Sequence, residues 1–262
     1  MSEPKVLLAR EDGVATLTLN SPADRNALSA ELVEELARAV DEIRGDEQTR
    51  VLVITGSGKA FSSGGDIKSM MPPQDVGLEA MKEAIKEYYR KTLCILELAI
   101  PTIAAINGHA IGAGCTLALA CDMRIASRQA KLGLGFVRLG LHPGMGTTYF
   151  LPRLVGTARA HELLLTGDVI GGEEAERLGL VNRAVEPEEL EAATRELALK
   201  VARGPAIAIR MLKTALRQGP LLDLDAALDY EAAAQAFCSQ TEDLREGIKA
   251  FLEKRDPQFR GR

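Results

Sequence analysis

The chain has 262 residues, with 32 Lys and Arg against 37 Asp and Glu, giving a formal net charge of −5. At 46% hydrophobic and 26% charged residues, its composition is that of an ordinary globular protein long enough to bury a large core without covalent staples. The acidic balance argues against a general nucleic-acid binder. No apolar run approaches the roughly 20 residues that span a bilayer, and the first ten residues lack the apolar core of a signal peptide.

In chain order, Val6 to Asn20 reads as a hairpin, two apolar runs around the favoured turn Asp12-Gly13. Pro22 breaks the pattern. Ser29 is a candidate N-cap for a helix that places Leu32, Val33, Leu36, Ala37, Val40 and Ile43 on one face and stops at Gly45. The continuous apolar run Val51–Ile54 predicts a strand buried on both sides. The segment from Met70 to Gly77 reads as a loop, and a helix is expected from Glu79 to Leu98, before Pro101. Ile103–Ile106 and Met123–Ala126 are further short buried-strand candidates, separated by a glycine-rich turn and the apolar run Gly112–Ala120. This rhythm of strand, glycine turn and helix favours α/β architecture with crossover connections.

From Glu188 the composition shifts to Ala, Leu, Glu, Lys and Arg, and three helical stretches are expected: Leu190–Gln218, Leu222–Cys238 and Asp243–Lys254. The chain thus divides into a core, residues 1–188, and a C-terminal helical region, residues 189–262, packed on the core or on a neighbouring subunit. Cys94, Cys115, Cys121 and Cys238 form no CxxC pair and read as small buried residues in a reducing cytoplasm.

Thirteen of the 24 glycines fall between Gly56 and Gly146, and two turns hold the most informative of them: Phe61-Ser-Ser-Gly-Gly-Asp-Ile-Lys68 and Asn107-Gly-His-Ala-Ile-Gly-Ala-Gly-Cys-Thr-Leu-Ala118. Glycine admits positive φ and close approach of backbone to a ligand, and a helix start leaves N–H groups unpaired. Two such turns brought together can aim two donors at one oxygen, the requirement of an oxyanion hole. Each turn alone is equally compatible with phosphate binding or with tight helix-on-strand packing. Neither fits GxxxxGK[ST], and no GxGxxG follows the first strand.

Taken together and in this order, the turns resemble the enoyl-CoA hydratase/isomerase family, or crotonase superfamily. Pro22–Leu28 looks like that family's N-terminal CoA-contacting turn, and Ala60–Lys68 and Ile106–Asp122 like its two oxyanion segments. Leu139–Gly146, Leu151–Gly156, Leu165–Asp168, Ala175–Asn182 and Glu246–Arg255 match its later signatures. The resemblance implies a spiral of ββα units with a C-terminal helical region that forms a homotrimer or a dimer of trimers. It implies a coenzyme A thioester as substrate, with no metal and no redox cofactor. It implies oxyanion donors at the backbone N–H groups of Ser63 and Ala113, the latter where the family usually has glycine. Arg25 is placed to approach the CoA phosphates. Ala27, Ser63, Gly64, Gly65, Asp66, Ile67, Gly112, Thr116 and Phe136 are the other expected substrate-binding positions.

The family's hydratases use two glutamates as base and acid. This chain has Thr116 three residues after the second oxyanion donor, and Phe136 on the expected strand before Pro143-Gly144. Neither replaces a carboxylate as a proton carrier. Asp66 is expected to be structural or CoA-facing. His142 is the candidate acid or base because histidine titrates near neutrality. Tyr149 and Arg138 are further polar candidates, whereas His109 and His161 are expected to pack or to be solvated. An acid near Arg138 or Gly144, as a dienoyl isomerase would have, is absent. The expectation is an acyl-CoA enzyme that stabilises a thioester enolate without ordinary hydratase chemistry. Decarboxylation, isomerisation and thioester hydrolysis stand as alternatives on the same fold, and a non-catalytic acyl-CoA binder as a different class. A trimer with a closed pocket is the third reading.

Overall fold

The computed structural model describes residues 3–66 and 76–262. Two sheets share the core. The larger has six strands in the order β1-β2-β3-β5-β7-β10, and the smaller has four in the order β4-β6-β8-β9. β1 (Val6–Glu11) and β2 (Val14–Leu19) form the expected antiparallel hairpin. β2 then runs parallel to β3 (Val51–Gly56), β3 to β5 (Thr102–Ile106), β5 to β7 (Met123–Ser127) and β7 to β10 (Arg183–Val185).

Each strand from β3 to β7 in the large sheet is followed by a short one in the small sheet and then by a helix. β3 leads to β4 (Ala60–Ser62) and α2 (Leu78–Thr92). β5 leads to β6 (His109–Ile111) and α3 (Ala113–Ala120). β7 leads to β8 (Lys131–Gly133) and α4 (Thr147–Thr166). This is the ββα spiral. β9 (Val169–Gly171) closes the small sheet antiparallel to β8, and α5 (Gly172–Arg177) leads into β10.

Local chemistry explains the boundaries. α1 (Ala30–Arg44) starts where the Ser29 hydroxyl accepts from Leu32 N–H at 3.3 Å, and it ends at Gly45. β3 is apolar from Val51 to Ile54 because both of its faces are covered there. Leu52 and Ile54 enter the main core, while Val51 and Val53 meet Ala198 and Ala202. Those two alanines belong to α6 (Leu190–Ala202), so the first helix of the C-terminal region forms the underside of the large sheet.

Several sequence expectations need correction. The helix expected over Glu79–Leu98 stops at Thr92. A tighter 3₁₀ turn, Cys94–Glu97, follows and drives Cys94 and Ile95 into the core. The first C-terminal stretch is two helices, α6 and α7 (Ala206–Gln218), because Gly204-Pro205 interrupts it; proline cannot continue the backbone hydrogen-bond ladder. Two more helices follow, α8 (Leu224–Cys238) and α9 (Glu242–Glu253). Phe136 is not on a strand. β8 ends at Gly133, and Phe136 opens a 3₁₀ turn, Phe136–Leu139. The loop expected over Met70–Gly77 lies mostly outside the described residues. Among those residues, no helix is long and apolar enough to cross a membrane.

Candidate active site

β4 and β6 are parallel neighbours, so the turns leaving them emerge side by side at the C-terminal ends of the strands, where α/β sheets bind ligands. The turns then close on each other. A methyl on Gly64 (φ +96°) would stand 2.6 Å from the Ile111 carbonyl oxygen and 3.3 Å from the Ala113 nitrogen. One on Gly114 would meet the Ser62 Cβ at 2.6 Å. Backbone touches backbone here, and no side chain fits between.

A third segment, 24–28, locks the first turn in place. Leu28 N–H donates to Gly64 O at 2.8 Å, and Leu28 bridges to Gly65 in parallel register. Arg25 and Asn26 sit in the left-handed region with φ of 54° and 55°. The Asn26 side chain is fully buried and satisfied. Its amide donates to Ala60 O at 2.8 Å and Ser57 O at 3.0 Å, and its Oδ1 accepts from Ser21 N–H at 2.8 Å. The Ser62 hydroxyl donates back to Asn26 O at 2.7 Å.

This lock overturns one expected donor. Ser63 N–H is already given to Arg25 O at 2.9 Å, and the Ser63 hydroxyl to Asp24 O at 3.2 Å. An N–H has one proton to donate, so Ser63 cannot supply the oxyanion contact. Two residues on, the Gly65 N–H has no acceptor among the described residues. Ala113 N–H opens α3, where no intrahelical carbonyl can reach it. Gly112, with φ 53° and ψ −122°, aims that helix start. Gly65 and Ala113 are thus unspent donors where the paired turns meet.

Behind Ala113, one helical turn on, Thr116 is completely buried. Its hydroxyl lies 3.1 Å from Gly112 O and 2.7 Å from the hydroxyl of Thr147, which is equally buried. Thr147 in turn donates to Gly144 O at 2.7 Å. Neither hydroxyl is free to act as a base; the pair pins α3 to the start of α4. The half-buried Phe136 ring comes within 3.9 Å of where a Gly112 side chain would begin, so it walls the second turn with hydrocarbon.

Two consecutive tyrosines near the end of α2 touch residues that border the turns. The Tyr88 hydroxyl donates to Leu28 O at 2.8 Å and is pushed up to about 12, chiefly by burial, with the charge of Asp66 adding to the shift. Tyr89 is half-buried beside Gly144, and burial raises its hydroxyl too. Sequence reading missed Asn26, Tyr89 and Thr147, because their roles come from partners far away in the chain.

The remaining expected residues are dispersed. Arg25 is exposed and Ala27 half-buried on the locking segment, and Asp66 is half-buried. Ile67 lies outside the described residues. His142 is exposed, and its Nδ1 faces the Pro143 carbonyl at 2.7 Å, so that nitrogen carries the proton. Tyr149 is stacked under Arg153, and Arg138 is paired with Asp168 at 2.7 Å. Among the described residues, no group of three His, Cys, Asp or Glu side chains could hold a metal ion. A concavity of about 330 Å³, lined by residues including Asp243, Glu246, Lys249 and Arg260, belongs to α9 and the C-terminal tail and not to the glycine turns.

The family model described as enoyl-CoA hydratase/isomerase matches residues 9–262. The chain is 41% identical to crotonyl-CoA hydratase of Syntrophomonas wolfei over 262 residues, covering 99% of each protein. It is 37% identical to 1,2-epoxyphenylacetyl-CoA isomerase of Escherichia coli over 258 residues, covering 96% of this chain and 97% of that one. The crystal structure of enoyl-CoA hydratase from Bacillus anthracis superposes with a TM-score of 0.92 at 38% identity, covering 98% of this chain and 100% of the other. The chain belongs to the enoyl-CoA hydratase/isomerase family.

Proposed function

We propose that this chain processes an acyl-CoA thioester by stabilising its enolate between the backbone N–H groups of Gly65 and Ala113. Support comes from the contact of the two glycine turns, which leaves these donors unspent in adjoining backbone. Donors fixed before reaction cost no reorganisation as the oxyanion forms, and each is worth about 10²–10³ in turnover. Arg25, exposed on the locking segment, meets the CoA phosphates. Thr116, its hydroxyl paired with that of Thr147, and Phe136 stand in place of the two carboxylates that hydration requires.

Reactions that reach the enolate without a paired base suit this arrangement, decarboxylation of a malonyl-type thioester foremost. There the departing CO₂ leaves its electron pair on the thioester, and the two N–H groups take up the charge. The exposed apolar side chains of the C-terminal helices, among them Leu216, Leu224 and Phe251, form the face on which copies of the chain assemble. The deciding experiment is a mass-spectrometric screen against enoyl-, malonyl-type, β-keto- and dienoyl-CoA thioesters. The expected result is turnover without net addition of water. Hydration of crotonyl-CoA at an ordinary enzymatic rate, roughly 1–10³ per second, overturns the reading.

A further inference from the structure

We propose that Tyr89 is the proton donor of this site, delivering its hydroxyl proton to the carbon of the thioester enolate. The inference rests on the acyl-CoA reading above and extends it to a residue that neither motif contains. Gly144 brings the residue to light. A methyl on Gly144 would fall on the Tyr89 hydroxyl oxygen and lie 2.7 Å from the ring carbon that bears it. The hydroxyl therefore occupies the space that any side chain at position 144 would need. That position is tied to the second turn through Thr147, whose hydroxyl donates to Gly144 O and lies 2.7 Å from the hydroxyl of Thr116, one helical turn past Ala113.

The opposite side of the site closes in the same way. Tyr88, one residue earlier on α2, is bonded to Leu28, and Leu28 is bonded to Gly64 and bridged to Gly65. The end of α2 thus reaches the segment that locks the first turn through Tyr88 and the loop before α4 through Tyr89. The two hydroxyls differ in what they have left to give. The proton of Tyr88 is committed to Leu28 O, whereas the Tyr89 hydroxyl has no hydrogen-bond partner among the described residues. Three other proton carriers near the turns are unsuited by position or bonding. His142 is exposed with its Nδ1 turned to Pro143, and the Thr116 and Thr147 hydroxyls are bonded to each other. Burial raises Tyr89 above the ordinary phenol value, so it is protonated at neutral pH and acts as an acid, not a base.

For a malonyl-type thioester the step balances with one proton taken up from water. The bond from Cα to the carboxylate breaks, CO₂ leaves, and the bonding pair becomes the enolate. The enolate collapses to the thioester carbonyl as Cα takes the Tyr89 proton. The phenolate then recovers a proton from water.

The test compares wild type with Tyr89→Phe on malonyl-CoA and its 2-methyl homologue in D₂O, alongside calorimetric binding of a saturated acyl-CoA. The substitution removes only an unbonded hydroxyl, so thermal stability and saturated acyl-CoA affinity should stay within about twofold. Turnover should fall by about 10²–10⁴, the usual worth of a general acid. Deuterium should enter one face of the 2-methyl product in wild type and both faces in the variant. Gly144→Ala, whose methyl takes the place of the hydroxyl, should lower turnover similarly. Tyr89→Phe turnover within threefold of wild type, or a loss of binding that parallels the loss of turnover, overturns the donor role alone. A wild-type chain that binds no acyl-CoA, or turns over neither thioester, overturns the proposed decarboxylation and the donor role together.

Discussion

Replacing Gly64 by alanine tests whether the two turns must touch. The added methyl would sit 2.6 Å from Ile111 O and 3.3 Å from the Ala113 nitrogen, at a φ of +96° that alanine rarely adopts. Real side chains keep at least 3.0 Å from such atoms, so the turns must part by about 0.4 Å or more. Strain in that backbone region costs about 1–3 kcal/mol of stability, which a protein stable by about 5–15 kcal/mol survives. A displacement of about 1 Å at a catalytic site costs about 10² in rate, and complete loss of one oxyanion donor costs about 10²–10³. Gly64→Ala should therefore fold, melt lower, and lose about 10–100-fold in kcat, because the first donor leaves the second. The assay pairs a thermal melt with steady-state turnover on the thioester that the panel identifies. A folded Gly64→Ala protein with kcat within twofold of wild type would refute the reasoning.

Three further outcomes are expected. Asn26→Ala strands the buried Ser21 N–H and takes the nearer of two amide donors from the Ala60 carbonyl, leaving it Asn107 at 3.4 Å; at about 1–3 kcal/mol for an unsatisfied buried group, chemical denaturation should report a loss of at least about 1 kcal/mol. Glu246 is held down to about 2, from an ordinary 4.5, first by Arg255 and then by Gln258 N–H. Because its folded value is depressed, the contribution is complete above pH 4.5 and lost as pH falls through about 2, and the hydrogen-exchange protection of the Gln258 N–H, relative to a free amide at the same pH, should fall over that window. Leu216→Glu combined with Phe251→Glu should shift sedimentation toward a monomer if these exposed side chains (69% and 82% accessible) form the assembly face, while an unchanged sedimentation coefficient places that face elsewhere.

What the sequence made legible follows from where its signals are strong. The β1–β2 hairpin, the Ser29-capped α1 and the doubly buried β3 are each specified by local pattern, and each forms as expected. The three-residue strands β4, β6, β8 and β9 are too short for any periodicity to mark, yet they make the small sheet that sets the two turns side by side. Both glycine turns could be found from sequence, but not which N–H in the first was free. Ser63 and Gly65 are equally good donors until Arg25 O takes the Ser63 proton. That bond depends on left-handed conformations at Arg25 and Asn26, fixed by an amide that reaches 34 residues along the chain. Tyr89 was illegible for the same reason. Its place in the site is given by Gly144, on a different element, where the missing side chain is the signal.

The central claim is that Gly65 and Ala113 together polarise a thioester carbonyl. Infrared difference spectroscopy of a saturated acyl-CoA, ¹³C-labelled at that carbonyl and bound to the protein, tests it most directly. Two N–H donors on one oxygen weaken the C=O bond. The account predicts a carbonyl band moved to lower frequency than that of the free thioester, with the shift reduced in Gly64→Ala. A bound thioester whose carbonyl band stays at its free position would contradict it.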